Sequence, residues 1–170
     1  MVLVTTQQLY LFNGLYLIVV IAVAYFTRAT ARRLVGALVA GAVISVVALG
    51  IIVLGERVGW WHMVIDWEPY PLTLLLIGLA ECAFIYLLTW RIARRFGSRG
   101  LAMSVVGAAI IGPPRDYWYM ATFPEWGAYA PGPAPAIAIA GTYALIVGLG
   151  HAVMWLVAGP STADQLARRG

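Results

Sequence analysis

The chain has 170 residues, enough for about one domain, and 62% of them are hydrophobic while only 11% are charged. A soluble domain is roughly 45–50% apolar and about 25% charged, and the mean hydropathy of this chain is +0.87. The composition excludes a disordered protein, a nucleic-acid-binding protein with a charged face and nearly every soluble globular fold. Its apolar runs are continuous and about 20 residues long, which favours membrane-spanning helices over the alternating segments of a β-barrel.

Four apolar segments are long enough to cross a hydrocarbon core of about 30 Å. They cover residues 9–27, 34–54, 70–90 and 134–158. A further span, 101–123, is irregular because its apolar part ends at Pro113 and Pro114, and we expect that helix to be kinked or broken there. The predicted fold is all-α, a single transmembrane domain over residues 1–170 that forms a compact bundle of five helices.

Small residues at four-residue spacing let helices approach closely in lipid. They occur in the second, fourth and fifth spans, at Gly36/Ala40, Ser104/Ala108/Gly112 and Ala144/Gly148/Ala152. The pattern predicts that these three spans form the centre of the bundle. It is equally typical of a face that pairs with a second copy of the chain.

The arginines predict the orientation. All eleven basic residues are arginines, and nine of them lie between spans one and two, between spans three and four, or in the C-terminal tail, whereas five of the seven acidic residues lie in the connections on the other side. The positive-inside rule therefore predicts an N-terminus outside and a cytoplasmic C-terminus. The N-terminus lacks the basic segment of a signal peptide, so we expect the first span to be retained in a multi-pass protein of the cell membrane.

Ionisable side chains inside a bilayer cost at least about 2.5–3.5 kcal/mol each and are therefore functional candidates. At 1.5 Å per residue, Glu81 lies about 13 Å and His151 about 10 Å from the inner ends of their spans, so the two could meet. Arg115 could reach Glu81 if the fourth helix continues past its prolines. Glu81 is either a core residue paired with an arginine or an acid that exchanges protons. For His151, a neutral ring bonded to a neighbouring helix is the simpler interpretation.

The two outer connections hold most of the tryptophans together with a histidine and several acids. If the segment before Pro69 is helical, His62 and Asp66 lie one turn apart, a spacing that suits an acid–base pair or two metal ligands. The aromatic side chains form either an interfacial belt or a pocket for a lipophilic, partly polar ligand. The candidate catalytic residues are Asp66, Asp116, Glu81, His62 and Arg115. The candidate substrate-binding residues are Trp61, Trp67, Glu68, Tyr117, Trp118, Tyr119, Glu125 and Trp126.

Two hypotheses follow. The first is an integral membrane enzyme, a cyclase or isomerase of lipid biosynthesis, that acts on an isoprenoid- or polyene-like substrate by acid–base chemistry. Glu81 or Asp66 would be the acid and His62 or Asp116 the base. No cofactor or bound metal is expected, since the chain has two histidines and no nucleotide-binding motif. The alternative is a non-catalytic subunit of a membrane complex or a proton-coupled carrier. Membrane lipids and a lipophilic small molecule are the expected partners, nucleic acid is not, and a homo-oligomer or complex stays open.

Overall fold

The computed structural model describes residues 6–63 and 70–160. The elements in chain order are α1 (Thr6–Thr27), α2 (Ala31–Val58), β1 (Trp61–Met63), α3 (Tyr70–Thr122), a 3-10 turn (Pro124–Trp126), β2 (Gly127–Tyr129) and α4 (Pro133–Ala158). Within the described ranges, four helices are long and apolar enough to cross a membrane. The chain therefore has the largely helical character and the apolar helices predicted for a membrane protein.

Helix α3 is a hairpin of two arms. Gly97 leaves the helical region with φ 64° and ψ −148°, a left-handed conformation that a glycine adopts without steric cost. Glu81 and Arg115 stand 34 residues apart and their side chains are bonded to each other, although a straight helix would separate them by about 51 Å. The chain therefore doubles back at Gly97, between a first arm (70–96) and a second arm (98–122). These two arms cover nearly all the residues of the third and fourth predicted spans.

The second arm continues through Pro113 and Pro114, which both lie inside the helix. The predicted break at the prolines is therefore absent, and a kink there stays a prediction. Proline has no N–H, so the carbonyls of Ala109 and Ile110 lose their usual helical donors. The interruption of α3 lies instead at Gly97, where the chain must reverse and only a glycine accepts the required backbone angles cheaply.

One end of the bundle, which we call the arginine-rich end, collects the end of α1, the start of α2, the α3 turn and the end of α4. Arg91 donates to the carbonyls of Phe26 and Thr27 at 3.5 and 3.4 Å. Arg32 donates to the carbonyl of Val157 at 3.2 Å. The last carbonyls of a helix lack intrahelical donors and carry partial negative charge. Two of the arginines from which the topology is predicted thus also cap the ends of α1 and α4.

The core lies where α2, the first arm of α3 and α4 meet. Its most buried large side chains are Ile44, Tyr86 and Met154, each with no more than 1% of its surface exposed. The Tyr86 hydroxyl donates to the carbonyl of Ile146 at 3.0 Å, so this polar group is satisfied inside the core. Small residues allow these contacts: a Cβ at Gly150 would overlap the Tyr86 ring.

The small-residue pattern predicted the contacts better than it predicted which spans are central. Gly36 packs on Met154, and Gly112 packs on the Tyr143 ring. Gly148, in contrast, has no neighbour within 4 Å of where a Cβ would stand. The first arm of α3, not the second, supplies most of the core through Ala83, Tyr86, Leu87 and Trp90. A four-residue repeat marks small residues but does not show which of them face another helix.

The opposite end, which we call the aromatic end, carries a two-stranded antiparallel ribbon. Trp61 pairs with Tyr129, and His62 pairs with Ala128. Gly59, with φ 80°, ends α2 just before β1. The segment at His62 is therefore a strand, which corrects the helix considered for this region and removes the basis for one-turn spacing between His62 and Asp66. Asp66 itself lies outside the described residues.

Large apolar side chains point outward along the helices. Leu11 and Ile18 on α1, Met103 on the second arm of α3 and Leu156 on α4 are 65–74% exposed. In water such surfaces would be unfavourable at about 25 cal/mol per Å² of apolar area, whereas hydrocarbon tails solvate them without that cost. Outward apolar faces around a core that contains charged groups are what a membrane-embedded bundle requires.

We expect Gly41→Ala to separate α2 from the first arm of α3. A Cβ at Gly41 would lie 2.6 Å from the backbone oxygen of Leu79, so backbone has to move, at a cost of about 1–3 kcal/mol. Gly50→Ala on the same helix is the matched control, since that Cβ meets nothing within 4 Å. Thermal unfolding in detergent should show a lower midpoint for Gly41→Ala alone, and equal midpoints would contradict this packing.

Candidate functional site

Arg115, on the second arm of α3, is the centre of a polar network inside the helical bundle. Its Nη2 bonds to Oε1 of Glu81 on the first arm and lies 3.4 Å from the Tyr16 hydroxyl on α1. Its Nη1 donates to the Tyr143 hydroxyl on α4 at 2.6 Å. One guanidinium therefore ties together α1, both arms of α3 and α4.

Tyr143 extends the network to a second carboxylate. Its hydroxyl accepts from Arg115 and donates to Oδ1 of Asp116 at 2.7 Å. We call Tyr16, Glu81, Arg115, Asp116 and Tyr143 the Arg115 network. Its bonds form a continuous path from the Glu81 carboxylate, through the guanidinium and the phenol, to the Asp116 carboxylate. Such a path can polarise the tyrosine O–H.

Local sequence explains how the second arm reaches Tyr143. Gly112 has no side chain where the Tyr143 ring lies, and any Cβ there would overlap the ring. The ring can therefore lie flat against the arm, one turn before Arg115. Arg115 and Asp116 follow directly after Pro113 and Pro114, whose missing N–H groups leave the preceding turn less completely bonded. The sequence Gly-Pro-Pro-Arg-Asp thus places two adjacent charged residues one turn after the glycine that lets the Tyr143 ring approach the backbone.

The charges of the network do not balance when every group is ionised. Among the described contacts, two carboxylates meet one guanidinium, which leaves one negative charge. The side chains of Glu81 and Arg115 are only 21% and 31% exposed, and an uncompensated charge in such a position costs several kcal/mol. Binding one proton to either carboxyl group makes the network neutral. Its composition therefore suits a site that takes up and releases a proton.

Aromatic rings cover the network toward the aromatic end. The Arg115 guanidinium lies 5.2 Å from the centre of the Tyr119 ring, a cation–π distance. Tyr119 stacks with Trp126 at 6.1 Å, and Trp126 stacks with Phe123 at 4.5 Å. Phe12 of α1 meets Trp126 edge to face at 5.5 Å. These π-faces form an apolar lining that can stabilise positive charge.

Tyr129 on β2 adjoins the same region. Its ring lies 4.7 Å from that of Tyr117. Burial raises the pKa of the Tyr129 hydroxyl, and the nearby negative charge of Asp116 raises it further. The phenol therefore keeps its proton across the physiological range and is an O–H donor close to Asp116. The ribbon thus brings a further polar group to the edge of the Arg115 network.

The structure brings together only some of the predicted site residues. Glu81, Arg115, Asp116 and Tyr119 form one site with Tyr16 and Tyr143, and Trp126 lies behind Tyr119. His62 does not join them: its Nδ1 lies 3.1 Å from Glu56, and its side chain is 75% exposed. Strand geometry at Trp61–Met63 turns it outward, because neighbouring residues of a strand face opposite sides.

The other predicted residues have separate environments. Trp61 is buried against Gly55 and donates to the carbonyl of Ile52 at 2.9 Å, which is a packing role at the start of the ribbon. Trp118 is 60% exposed and Tyr117 is 37% exposed, as an interfacial belt requires. Three predicted residues, Asp66, Trp67 and Glu68, lie outside the described residues, and so does the side chain of Glu125.

Three residues required the tertiary structure. Tyr16 and Tyr143 were missed, although a hydroxyl within an apolar span is a signal, since a buried tyrosine O–H normally needs a partner. His151 does not meet Glu81. Its ring lies 6.0 Å from that of Trp90, near the arginine-rich end, because the first arm of α3 places Trp90 nine residues, or about 13 Å, below Glu81.

Comparison with protein-family models, with curated proteins and with solved structures found no match. Among the described residues, no three histidine, cysteine or acidic side chains come together as metal ligands would. The functional argument therefore rests on the geometry of the Arg115 network.

We expect Arg115→Ala to leave the Glu81 carboxylate buried without its cation. Breaking a buried pair costs about 3–5 kcal/mol, and the partial exposure of these two side chains places the effect at the lower end. Replacing both residues by leucine should recover much of the stability, because the Glu81 carboxylate is then no longer buried without its cation. Arg99→Ala, at an exposed position of the α3 turn, should change the free energy of unfolding by no more than about 0.5 kcal/mol. Equal unfolding midpoints for Arg115→Ala and Arg99→Ala in detergent would contradict the role of the network.

Proposed function

We propose that the chain crosses the cell membrane five times, with its N-terminus outside and its C-terminus in the cytoplasm. Helices α1, α2 and α4 supply one crossing each, and the two arms of α3 supply two. The positive-inside rule supports a cytoplasmic location for the arginine-rich end. The ribbon and the stacked rings of the aromatic end then lie at the outer surface, where tyrosine and tryptophan are favoured.

We further propose that the protein is an enzyme that cyclises or isomerises a lipophilic, isoprenoid- or polyene-like substrate without a cofactor. The observation that carries this proposal is the path Glu81–Arg115–Tyr143–Asp116. It couples two carboxyl groups through a guanidinium and a phenol, and it adjoins an aromatic lining. Proton-driven chemistry on a hydrocarbon needs an acid, a base and a surface that tolerates positive charge. All three are present within one cluster.

In the proposed reaction Asp116, in its protonated form, gives its proton to one carbon of a substrate double bond. The electron pair of that bond forms the new C–H bond, and the neighbouring carbon becomes a cation. In a cyclisation, a second double bond then attacks the cation and closes a ring. In an isomerisation, the cation goes directly to the next step. Loss of a proton from an adjacent carbon to the Asp116 carboxylate restores a double bond and the enzyme. Substrate and product are therefore isomers, and no oxidant or reductant is needed.

The remaining groups of the network orient the Asp116 carboxyl group and stabilise the carboxylate that it becomes after it gives up its proton. Tyr143 donates to Asp116, and Arg115 donates to the phenol oxygen of Tyr143, which strengthens that hydrogen bond. Glu81 acts as a positioning residue because it fixes the guanidinium. Tyr119, Phe123 and Trp126 present π-faces to the carbocation. The outer rings and the surrounding lipid keep bulk water from quenching it.

A specific observation favours the second candidate, a non-catalytic subunit or a proton-coupled carrier. Glu81 and Arg115 join the two arms of α3, as a purely structural clamp would. A subunit would use this clamp to hold the hairpin closed and would dock a partner through its aromatic end. A carrier would use the same carboxyl groups to bind and release a proton without chemistry on a substrate.

The five-crossing topology predicts opposite locations for the two kinds of end. In a Cys82→Ala background, Ser98→Cys should react with a membrane-impermeant thiol reagent only after the cytoplasmic side is opened. Ala130→Cys should react in intact cells. A reporter fused after Arg169 should be active in the cytoplasm. If Ser98→Cys and Ala130→Cys are labelled from the same side, the topology is wrong.

The enzyme proposal predicts deuterium uptake from the solvent. Membranes that contain the protein would be incubated in D₂O with linear prenyl and polyene lipids, and mass spectrometry would detect cyclised or isomerised products that carry one deuterium. Asp116→Asn should lower this rate by about 10²–10⁴-fold, the usual contribution of a positioned acid or base. Glu81→Gln removes the charge of the carboxylate that positions Arg115, and it should also lower the rate of deuterium uptake.

Thr142→Val is the matched control for this series. Thr142 precedes Tyr143, and among the described contacts its hydroxyl bonds within its own helix, to the carbonyl of Ala138 at 2.8 Å, so its loss should leave the rate unchanged. Equal rates in Asp116→Asn, Glu81→Gln and Thr142→Val, with stability lost in the first two, would support the structural subunit instead. No deuterium uptake by the wild-type protein would overturn the enzyme proposal for these substrates.

A further inference from the structure

A second polar feature lies at the arginine-rich end, away from the Arg115 network. The α3 turn and the end of α4 line a cavity of about 380 Å³ that is open to its surroundings, a volume in the range of small-molecule sites, about 300–1,000 Å³. Its walls include Gly97 and Leu101 on α3, and Gly148, His151 and Trp155 on α4. His151 follows Tyr143 by eight residues, which is about 12 Å along α4. The cavity and the network are therefore separate sites.

His151 gives this cavity its chemistry. The residue is only 7% exposed, and its Nδ1 is buried with no hydrogen-bond partner in the part of the chain that the structure describes. Trp90, whose ring lies 6.0 Å away, has a buried Nε1 in the same condition. A buried polar atom without a partner costs about 1–3 kcal/mol. Of the two, His151 is the one that lines the cavity, so its ring is the polar group that a ligand oxygen there would satisfy.

Small residues keep the cavity open. Gly148 belongs to the predicted small-residue stripe of α4, yet a Cβ at this position would meet nothing within 4 Å. The stripe at this point therefore faces an empty space instead of a neighbouring helix. Leu101 and Trp155 add apolar surface, and His151 and Ser98 are the polar side chains among the lining residues.

We propose that this cavity binds an uncharged lipophilic molecule with one hydroxyl or carbonyl oxygen, which bonds to His151. A neutral imidazole offers one donor and one acceptor, so it can serve either oxygen. The lining itself holds no acidic or basic side chain besides the imidazole, so an ionic head group there would have no charged partner among the lining residues. The apolar walls accept a chain or ring that enters from the membrane.

The test uses the full chain in lipid nanodiscs and three photoactivatable diazirine probes of equal chain length. These are a primary alcohol, the corresponding carboxylate and the corresponding alkane. After irradiation, peptide mass spectrometry locates the cross-links. The alcohol should label residues 93–101 and 148–155, and excess unlabelled alcohol should suppress that labelling. Preferential labelling by the carboxylate would overturn the uncharged head group, and equal labelling by the alkane would overturn the role of the oxygen.

Two variants separate the cavity from the lipid-facing surface. Gly148→Leu fills the cavity and should abolish the labelling, whereas Gly141→Leu, on the same helix with equally free space and outside the cavity lining, should leave it unchanged. His151→Phe should weaken, by about two- to tenfold, the suppression of labelling by unlabelled alcohol, the range expected for one lost hydrogen bond. The suppression by unlabelled alkane should not change. Unfolding midpoints confirm that each variant is folded. Labelling that survives in Gly148→Leu would overturn the proposal.

Discussion

The ion pair between Glu81 and Arg115 is the interaction on which the architecture of this protein depends. It joins the two arms of α3 inside the bundle, where both side chains are mostly buried. A charge in this position is tolerated only with its partner, so the hairpin must close with these two residues opposite each other. Gly97 makes the closure feasible by reversing the chain between them. The positions of α1 and α4 follow, since Tyr16 and Tyr143 bond to the same guanidinium.

The bundle separates its polar chemistry by depth. The Arg115 network and its aromatic lining lie toward the aromatic end, whereas His151 and its cavity lie toward the arginine-rich end. Between them stands a tight core around Tyr86, in which the phenol is bonded to the carbonyl of Ile146 and the ring fills the space above Gly150. This core separates the proposed reaction site from the proposed ligand site. A substitution in one site therefore does not directly contact the other.

Much of the fold could be predicted from the chain alone. Apolar runs locate α1, α2 and α4 to within a few residues, because the burial of about 20 apolar residues in a bilayer leaves few alternatives to a helix. The pairing of Arg115 with Glu81 was also expected, since a buried carboxylate and a buried guanidinium are stable only when they neutralise each other. The ribbon at Trp61 was not predicted, and the reversal between the third and fourth spans was predicted without Gly97 as its turning point. Three-residue strands have little periodicity, and a glycine in a short loop between arginines does not by itself show where the chain turns.

What the sequence determined by itself was therefore the apolar, largely helical character of this protein, the location of its helices and the sign of charge at each end, because hydrophobicity and charge act locally along the chain. The tertiary structure decided which polar side chains share a site. Tyr143 and Asp116 are 27 residues apart in sequence and meet only because Gly112 admits the tyrosine ring. His62 and His151 lie away from this site: His62 is in a strand that pairs with Ala128, and His151 packs near Trp90. Such choices depend on helix rotation and on close packing between distant segments, which no local pattern encodes.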